Sequence, residues 1–288
     1  MNYRSIEQMN QLIRNKLYLI PNDIDVIIGI PRSGMLPATI IALYLNKPLI
    51  SIEEVRQNSF CNFTTRLDLK KEFKFKKGLV VDDSCNTGAS MGKAKKYLEN
   101  IADIDFSYCA IFATETSKDY LNIYFEIVEQ LRLFEWNIMN HDILRKACLD
   151  MDGVLCWDPT DEQNDDGPRY LSFLRDAKPK FLPTNRIGTI VTSRLEKYRK
   201  ETEKWLEKNN IVYDNLYMMD LPDMKTRQRL GNHADFKADI YGKSSAVIFI
   251  ESNIVQAKKI FEITKRPVYS IEDSSFFEIS KSSLTKQN

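Results

Sequence analysis

The stretch GLVVDDSCNTGAS, residues 78–90, decides how the first half of the chain folds. Its opening is a short continuous apolar run, the pattern of a strand buried on both faces. Asp82 and Asp83 come where that strand ends. Ser84, Cys85, Asn86, Thr87, Gly88, Ala89 and Ser90 then form a loop of small residues that opens a helix. Small side chains let backbone N–H groups approach a phosphate, and a helix start adds partial positive charge. Two carboxylates beside such a cradle repel phosphate. They make sense if they face another part of the ligand, such as ribose hydroxyls or a magnesium ion.

Outward from that stretch the same alternation repeats. DVIIGI (25–30) reads as a buried strand, PRSGM as a loop and LPATIIALYL as a helix. LISI (49–52) and FSYCAIFAT (106–114) read as further strands. Ile6, Met9, Leu12, Ile13 and Leu17 give residues 5–19 helical spacing. Residues 120–134 fit helix or strand. Residues 53–77 are polar with few signals for either, which reads as a disordered segment or a functional loop. A second pattern starts at ACLDMDGVL (147–155) and continues through IGTIVTSR (187–194), a helix to Asn209, and SAVIFIES (244–251) with the helix IVQAKKIFEI behind it. The fold class expected is α/β in two domains, each a mainly parallel sheet flanked by helices. The boundaries expected are 1–140 and 145–275, with NIMNHDILRK (137–146) as linker and a flexible Ser/Lys-rich tail over 276–288.

Bulk properties bound the function. The net charge of +1 over 288 residues gives no footprint for nucleic acid or an acidic membrane. Lysine runs such as 93–96 are balanced by nearby acids and read as solvated helix faces. Cysteines at 61, 85, 109, 148 and 156 are odd in number and lack metal-site spacing, which fits a reducing compartment. The start of the chain lacks a signal-peptide core, and its most apolar stretch, 25–45, is broken by Pro31, Arg32, Gly34 and Pro37. A cytoplasmic protein that does not span a membrane is expected. A homodimer remains open.

The strand, acid pair and Thr-Gly loop resemble the phosphoribosyl pyrophosphate (PRPP) signature of type I phosphoribosyltransferases. That resemblance implies that Asp82 and Asp83 contact the ribose hydroxyls and that Ser84 and Asn86 to Ser90 hold the 5-phosphate. It implies a pyrophosphate loop at Ile30 to Gly34, with Arg32 as charged donor beside Ser33 and Gly34. The polar segment 53–77 is then the mobile loop, with Arg56 or Arg66 closing over PRPP.

The second half resembles capless haloacid dehalogenase (HAD)-type phosphatases. In that family the first Asp of the DMDG motif, here Asp150, attacks phosphorus, and the second, here Asp152, protonates the leaving oxygen and then activates water. By the same resemblance Thr192 and Ser193 supply a phosphate-binding hydroxyl, and Lys237 is the phosphate-binding lysine, with Lys225 and Lys243 as rivals. Glu251 joins Asp150 and Asp152 as a Mg2+ ligand. The family usually has Asp at that place, so Asn253 or water can enter the coordination. Asp158, Asp161, Glu162, Asp165 and Asp166 read as a solvated loop. The intervals from Leu155 to Ile187 and from Lys200 to Asp235 are too short for a full cap domain.

A cradle built for a 5-phosphate requires that transfer come first and dephosphorylation second. A nucleobase acceptor would make the second site destroy the product of the first. The layout resembles bifunctional PRPP-dependent ribofuranosyltransferases of bacterial surface-polysaccharide assembly. The resemblance implies PRPP and a glycan or lipid-linked glycan acceptor, no nucleic acid, and a β-ribofuranosyl product. Trp136 suits stacking on the acceptor sugar, and Glu135 suits taking its proton. The alternatives are a nucleobase phosphoribosyltransferase with an independent phosphatase, and a PRPP-sensing module on a phosphatase.

Overall fold

A computed structural model describes residues 1–57 and 75–279. The chain divides into two compact units, Asn2–Trp136 and Asn137–Asn288 together with Met1. No helix among the described residues is long and apolar enough to cross a membrane.

The first unit is built on five parallel strands. They are β2 (Val26–Gly29), β3 (Leu49–Ser51), β4 (Lys77–Cys85), β5 (Asp105–Ala113) and β6 (Ile123–Ile127), in the order β3-β2-β4-β5-β6. β1 (Asn2–Arg4) and β7 (Arg132–Phe134) form a separate parallel pair. Side-chain alternation builds two core layers. Ile27, Leu79, Val81 and Ile111 pack under α1 (Ile6–Lys16) and α2 (Met35–Leu45). Val26, Ile28, Val80 and Ala110 pack on the other face with Met91, Ala94 and Leu98 of α4 (Ala89–Leu98). From β2 the chain first steps outward to β3, then returns to place β4 on the other side. The loops after β2 and β4 therefore flank the topological switch point, where open α/β sheets bind ligands.

The second unit repeats this logic. Its strands are β8 (Ala147–Leu149), β9 (Ile187–Leu195), β10 (Tyr213–Met219), β11 (Ile248–Glu251), β12 (Val268–Ser270) and β13 (Ser275–Phe277), in the order β10-β9-β8-β11-β12-β13. All pairs are parallel except β12 with β13. The helices are α5 (Pro168–Asp176), α6 (Arg199–Lys208), α7 (Met224–Leu230), α8 (His233–Lys243) and α9 (Ile254–Thr264). Cys148, Val191, Ala238, Tyr241, Phe249 and Ile260 are central to its core. The switch point lies between β8 and β11, which puts Asp150 and Glu251 on neighbouring strand ends.

Several local expectations are corrected. The first helix ends at Lys16 and continues as a 3-10 turn over Leu17–Leu19; its start has a capping box between Ser5 and Gln8. Residues 123–127 and 132–134 are strands. The segment read as a linker folds into two 3-10 stretches, Glu135–Asn140 and Asp142–Lys146, because Ile138, Met139, Ile143 and Leu144 are buried. The start of the polar 53–77 segment is helix α3 (Ile52–Gln57), with acids in its first turn and Arg56 in its last, as the helix dipole favours. Arg56 lies over the Tyr97 ring. Arg66, most of that segment and the tail from 280 lie outside the described residues. Residues 275–277 pair with β12 as a strand where a flexible tail was expected.

Candidate functional sites

In the first unit β4 carries Asp82 and Asp83 to its carboxyl end, where both are buried. Asp82 Oδ1 accepts from the Asp83 backbone N–H at 2.9 Å, and Oδ2 from Ser90 Oγ at 3.3 Å. Asp83 Oδ1 accepts from Ser33 Oγ at 2.9 Å, and Oδ2 from the Trp136 indole N–H at 2.7 Å. Three expected residues from three separate stretches, Ser33, Ser90 and Trp136, thus meet at one acid pair. The donors are all neutral. Burial, and after it the adjacent Asp83 charge, push Asp82 up to about 8.

Two glycines make this convergence possible. A Cβ on Gly34 would meet Ile30 O at 2.6 Å, Val81 O at 2.7 Å and Asp82 Cα at 3.0 Å, so the loop after β2 lies directly on β4. The Pro31–Arg32 peptide within that loop is cis. Gly88 has φ +79° and sits against the Tyr120 ring, where a side chain would collide. Arg32, Asn86, Thr87, Ala89 and Ser90 are exposed around this mouth, and Ser84 is half-buried. Asn86 Oδ1 accepts from Gln130 Nε2 at 2.9 Å.

Sequence reasoning missed the support beneath the loop. Ser117 Oγ donates to Cys85 O at 2.8 Å, and Thr114 Oγ1 to Asn86 O at 2.7 Å. Arg132, buried with its guanidinium over Phe134, donates to Cys85 O at 3.3 Å. Isolated Thr, Ser and Arg side chains carry no motif, so nothing in their spacing marked them.

Both acceptor-side residues have structural partners. Glu135 accepts the backbone N–H of Ile6 at 2.7 Å, so its carboxylate holds the start of α1. Trp136 is stacked on Phe134 at 4.9 Å between ring centroids, which commits one ring face to packing.

In the second unit Asp150 follows β8 and is buried. Lys237 Nζ, on α8 and buried, lies 2.8 Å from Asp150 Oδ2, 2.8 Å from Glu251 Oε2 and 3.0 Å from Gln256 Oε1. Burial raises the Asp150 carboxyl well above its ordinary range, with Glu251 adding to the effect and Lys237 opposing it. Asp152 meets a different cation. Arg194, fully buried, donates from Nε at 3.0 Å to Oδ2 and from its terminal nitrogen at 2.6 Å to Oδ1. Burial works against the Asp152 charge, but Arg194 outweighs it and holds the carboxyl below its ordinary range. Arg194 had no expected role, although it follows Thr192 and Ser193 directly.

Gly153 has φ +76°, and a Cβ there would meet Ser252 Oγ at 2.4 Å and Asp158 Oδ2 at 2.9 Å. Asp158 thus faces the acid loop, and desolvation followed by the Asp152 charge raises its pKa. Asp165 and Asp166 are also more than solvated. Asp165 accepts the N–H groups of Gly167 and Tyr170, and Asp166 binds Lys197, Tyr198 and the N–H of Met224. Thr192 and Ser193 separate in role. Thr192 is fully buried and accepts from the Arg194 N–H, whereas Ser193 Oγ is buried without a partner.

The expected magnesium ligands divide. No group of three His, Cys, Asp or Glu side chains among the described residues is placed to hold a metal ion. The reason is local: the Asp152 carboxylate is committed to Arg194. Asp150 and Glu251 each point an oxygen at one cation, and in this structure that cation is the Lys237 ammonium.

Residues 2–118 match the family model described as phosphoribosyl transferase domain. Among solved structures the chain is similar to a purine phosphoribosyltransferase from Pyrococcus horikoshii, at 18% identity over 47% of this chain and 94% of that one, TM-score 0.34. It is similar to the Helicobacter pylori xanthine-guanine-hypoxanthine phosphoribosyltransferase at 15% identity, over 48% and 92%, TM-score 0.37. A chain of the Pnkp1/Rnl/Hen1 RNA repair complex matches 86% of this chain and 96% of that one, at 14% identity and TM-score 0.29. No curated protein matches the chain. The strand, the buried acid pair and the small-residue loop all lie within the matched residues, and residues 2–118 are a phosphoribosyl transferase domain.

Proposed function

We propose that the chain transfers a 5-phosphoribosyl group from PRPP to a glycan or lipid-linked glycan acceptor, and then removes the 5-phosphate to leave a β-ribofuranosyl residue. The reading rests on one observation. A single chain has two strand-end acid pairs, one bonded to neutral donors and one to buried cations. The first arrangement suits hydroxyl groups. The second suits a phosphate dianion, which a bare carboxylate repels.

In the first unit Asp82 and Asp83 accept the ribose hydroxyls, and the N–H groups and hydroxyls of 86–90 hold the 5-phosphate. Arg32, with Ser33 and Gly34, takes the pyrophosphate. The bond from the anomeric carbon to pyrophosphate breaks, the acceptor hydroxyl attacks the opposite face, and an α-linked donor yields a β linkage. Donors fixed at the leaving group stabilise the charge that develops there. Magnesium, where bound, supplies further neutralisation of phosphate oxygens.

In the second unit Asp150 attacks phosphorus, releasing the ribosyl hydroxyl and forming an aspartyl-phosphate. Lys237 opposes the rise that burial imposes on the Asp150 carboxyl and reduces its repulsion from the phosphate. Asp150 and Glu251 are the residues that would hold magnesium. Asp152, kept ionised by Arg194, is ready to take a proton from the water that cleaves the aspartyl-phosphate. Its earlier duty as an acid requires a proton to reach it first.

The test is mass spectrometry of an oligosaccharide mixture incubated with PRPP and magnesium. Wild type should add a pentose, Asp150→Asn a phosphopentose, and Asp83→Asn nothing. Loss of all adducts in Asp150→Asn would sink the two-step scheme. Phosphoribosylation of a nucleobase, with no glycan adduct, would establish the nucleobase alternative instead.

A further inference from the structure

The residue expected to bind phosphate in the second unit has nothing left to bind it with. A lysine ammonium has three N–H donors. Those of Lys237 are taken by Asp150, Glu251 and Gln256, and the side chain is buried. Arg194 is also turned to the protein's own groups, with Nε on Asp152, one terminal nitrogen on Asp152 and Cys156, and the other on Thr202.

A third cation lies at the same strand ends. Arg227, on α7, donates through one terminal nitrogen to Ser193 O at 3.0 Å. Its Nε is buried and has no hydrogen-bond partner, and the same holds for Ser193 Oγ. Arg227 shares two neighbours with the groups around the acids. Tyr170 feels Asp152, Arg194 and Arg227 together. His233, at the start of α8, is held below its ordinary range by burial and then by the charges of Arg227 and Lys237. No carboxylate among the described residues forms an ion pair with Arg227. A buried donor and a buried hydroxyl left unmade are each costly, and the cost is recovered when a ligand supplies the missing acceptor.

We infer that Arg227 and Ser193 form the phosphate-binding pair of the second unit, with Arg227 Nε and Ser193 Oγ donating to non-bridging oxygens of a sugar phosphomonoester. The inference rests on the phosphatase reading above and changes which cation grips the substrate. Guanidinium suits this task, since it brings charge and a fixed donor direction to phosphate oxygens. The role is one of binding and orientation. The reacting groups remain Asp150 and Asp152.

The test uses the full chain with magnesium and methyl 5-phosphoribofuranoside as substrate, comparing wild type with Arg227→Gln, Arg227→Lys and Ser193→Ala. Calorimetric titration with inorganic phosphate gives a readout independent of turnover. Arg227→Gln should raise both KM and the phosphate Kd about 10- to 100-fold, the worth of one charge-assisted hydrogen bond. Its kcat should stay within about threefold of wild type, and Arg227→Lys should recover part of the affinity. Values of KM and Kd within about twofold of wild type, in a variant that melts like wild type, would overturn the inference and leave the phosphatase reading standing. A wild-type chain that neither hydrolyses the ester nor binds phosphate would overturn both. If Arg227→Gln does not fold, Arg227→Lys reads the same two constants.

Discussion

The chain contains two acid pairs at two strand ends, and they are stabilised in opposite ways. Asp82 and Asp83 are adjacent and are held by Ser33, Ser90, Trp136 and a backbone N–H, all uncharged. Asp150 and Asp152 are two residues apart, and each has its own buried cation, Lys237 or Arg194. Burial raises one acid of each pair: Asp82 up to about 8, with the Asp83 charge adding to it, and Asp150 well above its ordinary range, with Glu251 adding and Lys237 opposing. The pairs differ in the other acid of the second pair, since Arg194 holds Asp152 below its ordinary range in spite of its burial. An acid pair that meets neutral hydroxyls tolerates a shared proton. One that meets phosphate must have its charge offset in advance.

The largest test of that contrast removes a cation. Lys237→Met leaves Asp150 and Glu251 buried side by side without compensation. Breaking a buried ion pair from one side typically costs about 3–5 kcal/mol. Urea unfolding of the full chain should register a loss of that size, and neutralising both acids in the same background (Asp150→Asn with Glu251→Gln) should return most of it. A loss below about 1 kcal/mol would mean that the cation is not what holds the second pair.

A smaller effect is expected at the first pair, where Asp82→Asn should remove a pH dependence. The folded carboxyl holds its proton up to about 8, while the unfolded one releases it near its ordinary 3.8. Between those values the folded state binds more protons, so wild-type stability falls as pH rises. From pH 6 to 8 the stability of Asp82→Asn relative to wild type should grow by about 2 kcal/mol. Parallel unfolding curves for the two proteins at pH 6, 7 and 8 would break the comparison.

These contrasts also mark what a reader of the sequence can and cannot see. The strand Gly78 to Val81, the acids after it and the loop to Ser90 were legible because period, polarity and glycine placement are local properties. So were both α/β halves, since buried strands are continuous apolar runs. Arg194 and Arg227 were not legible as partners of Asp152 and Ser193. Their roles depend on which strands become neighbours, and topology brings together positions 152 and 194, or 193 and 227. The same limit explains Glu135. As an acid beside a tryptophan it looked available for proton transfer, yet β1 and β7 pair and set it at the first N–H groups of α1. The linker 137–146 was misread for a related reason. Its buried apolar residues come as two short pairs, Ile138-Met139 and Ile143-Leu144, too little to separate 3-10 turns from an irregular segment.

The smallest predicted effect asks whether the neutral donors of the first pair organise it or merely fill space. Trp136 does both, since its ring stacks on Phe134 while its N–H holds Asp83. Trp136→Phe keeps most of the stacking and removes only the donor. The loss of one hydrogen bond should cost about 1 kcal/mol of stability. If the indole fixes the Asp83 carboxylate for ribose, PRPP should bind about fivefold more weakly to the variant. Trp136→Ala, which loses the stack as well, should destabilise further without a matching further loss of PRPP affinity. An unchanged PRPP Kd in Trp136→Phe would assign the indole N–H to stability alone. The first acid pair would then owe its geometry to Ser33 and Ser90, the two hydroxyls on the loops that flank the switch point.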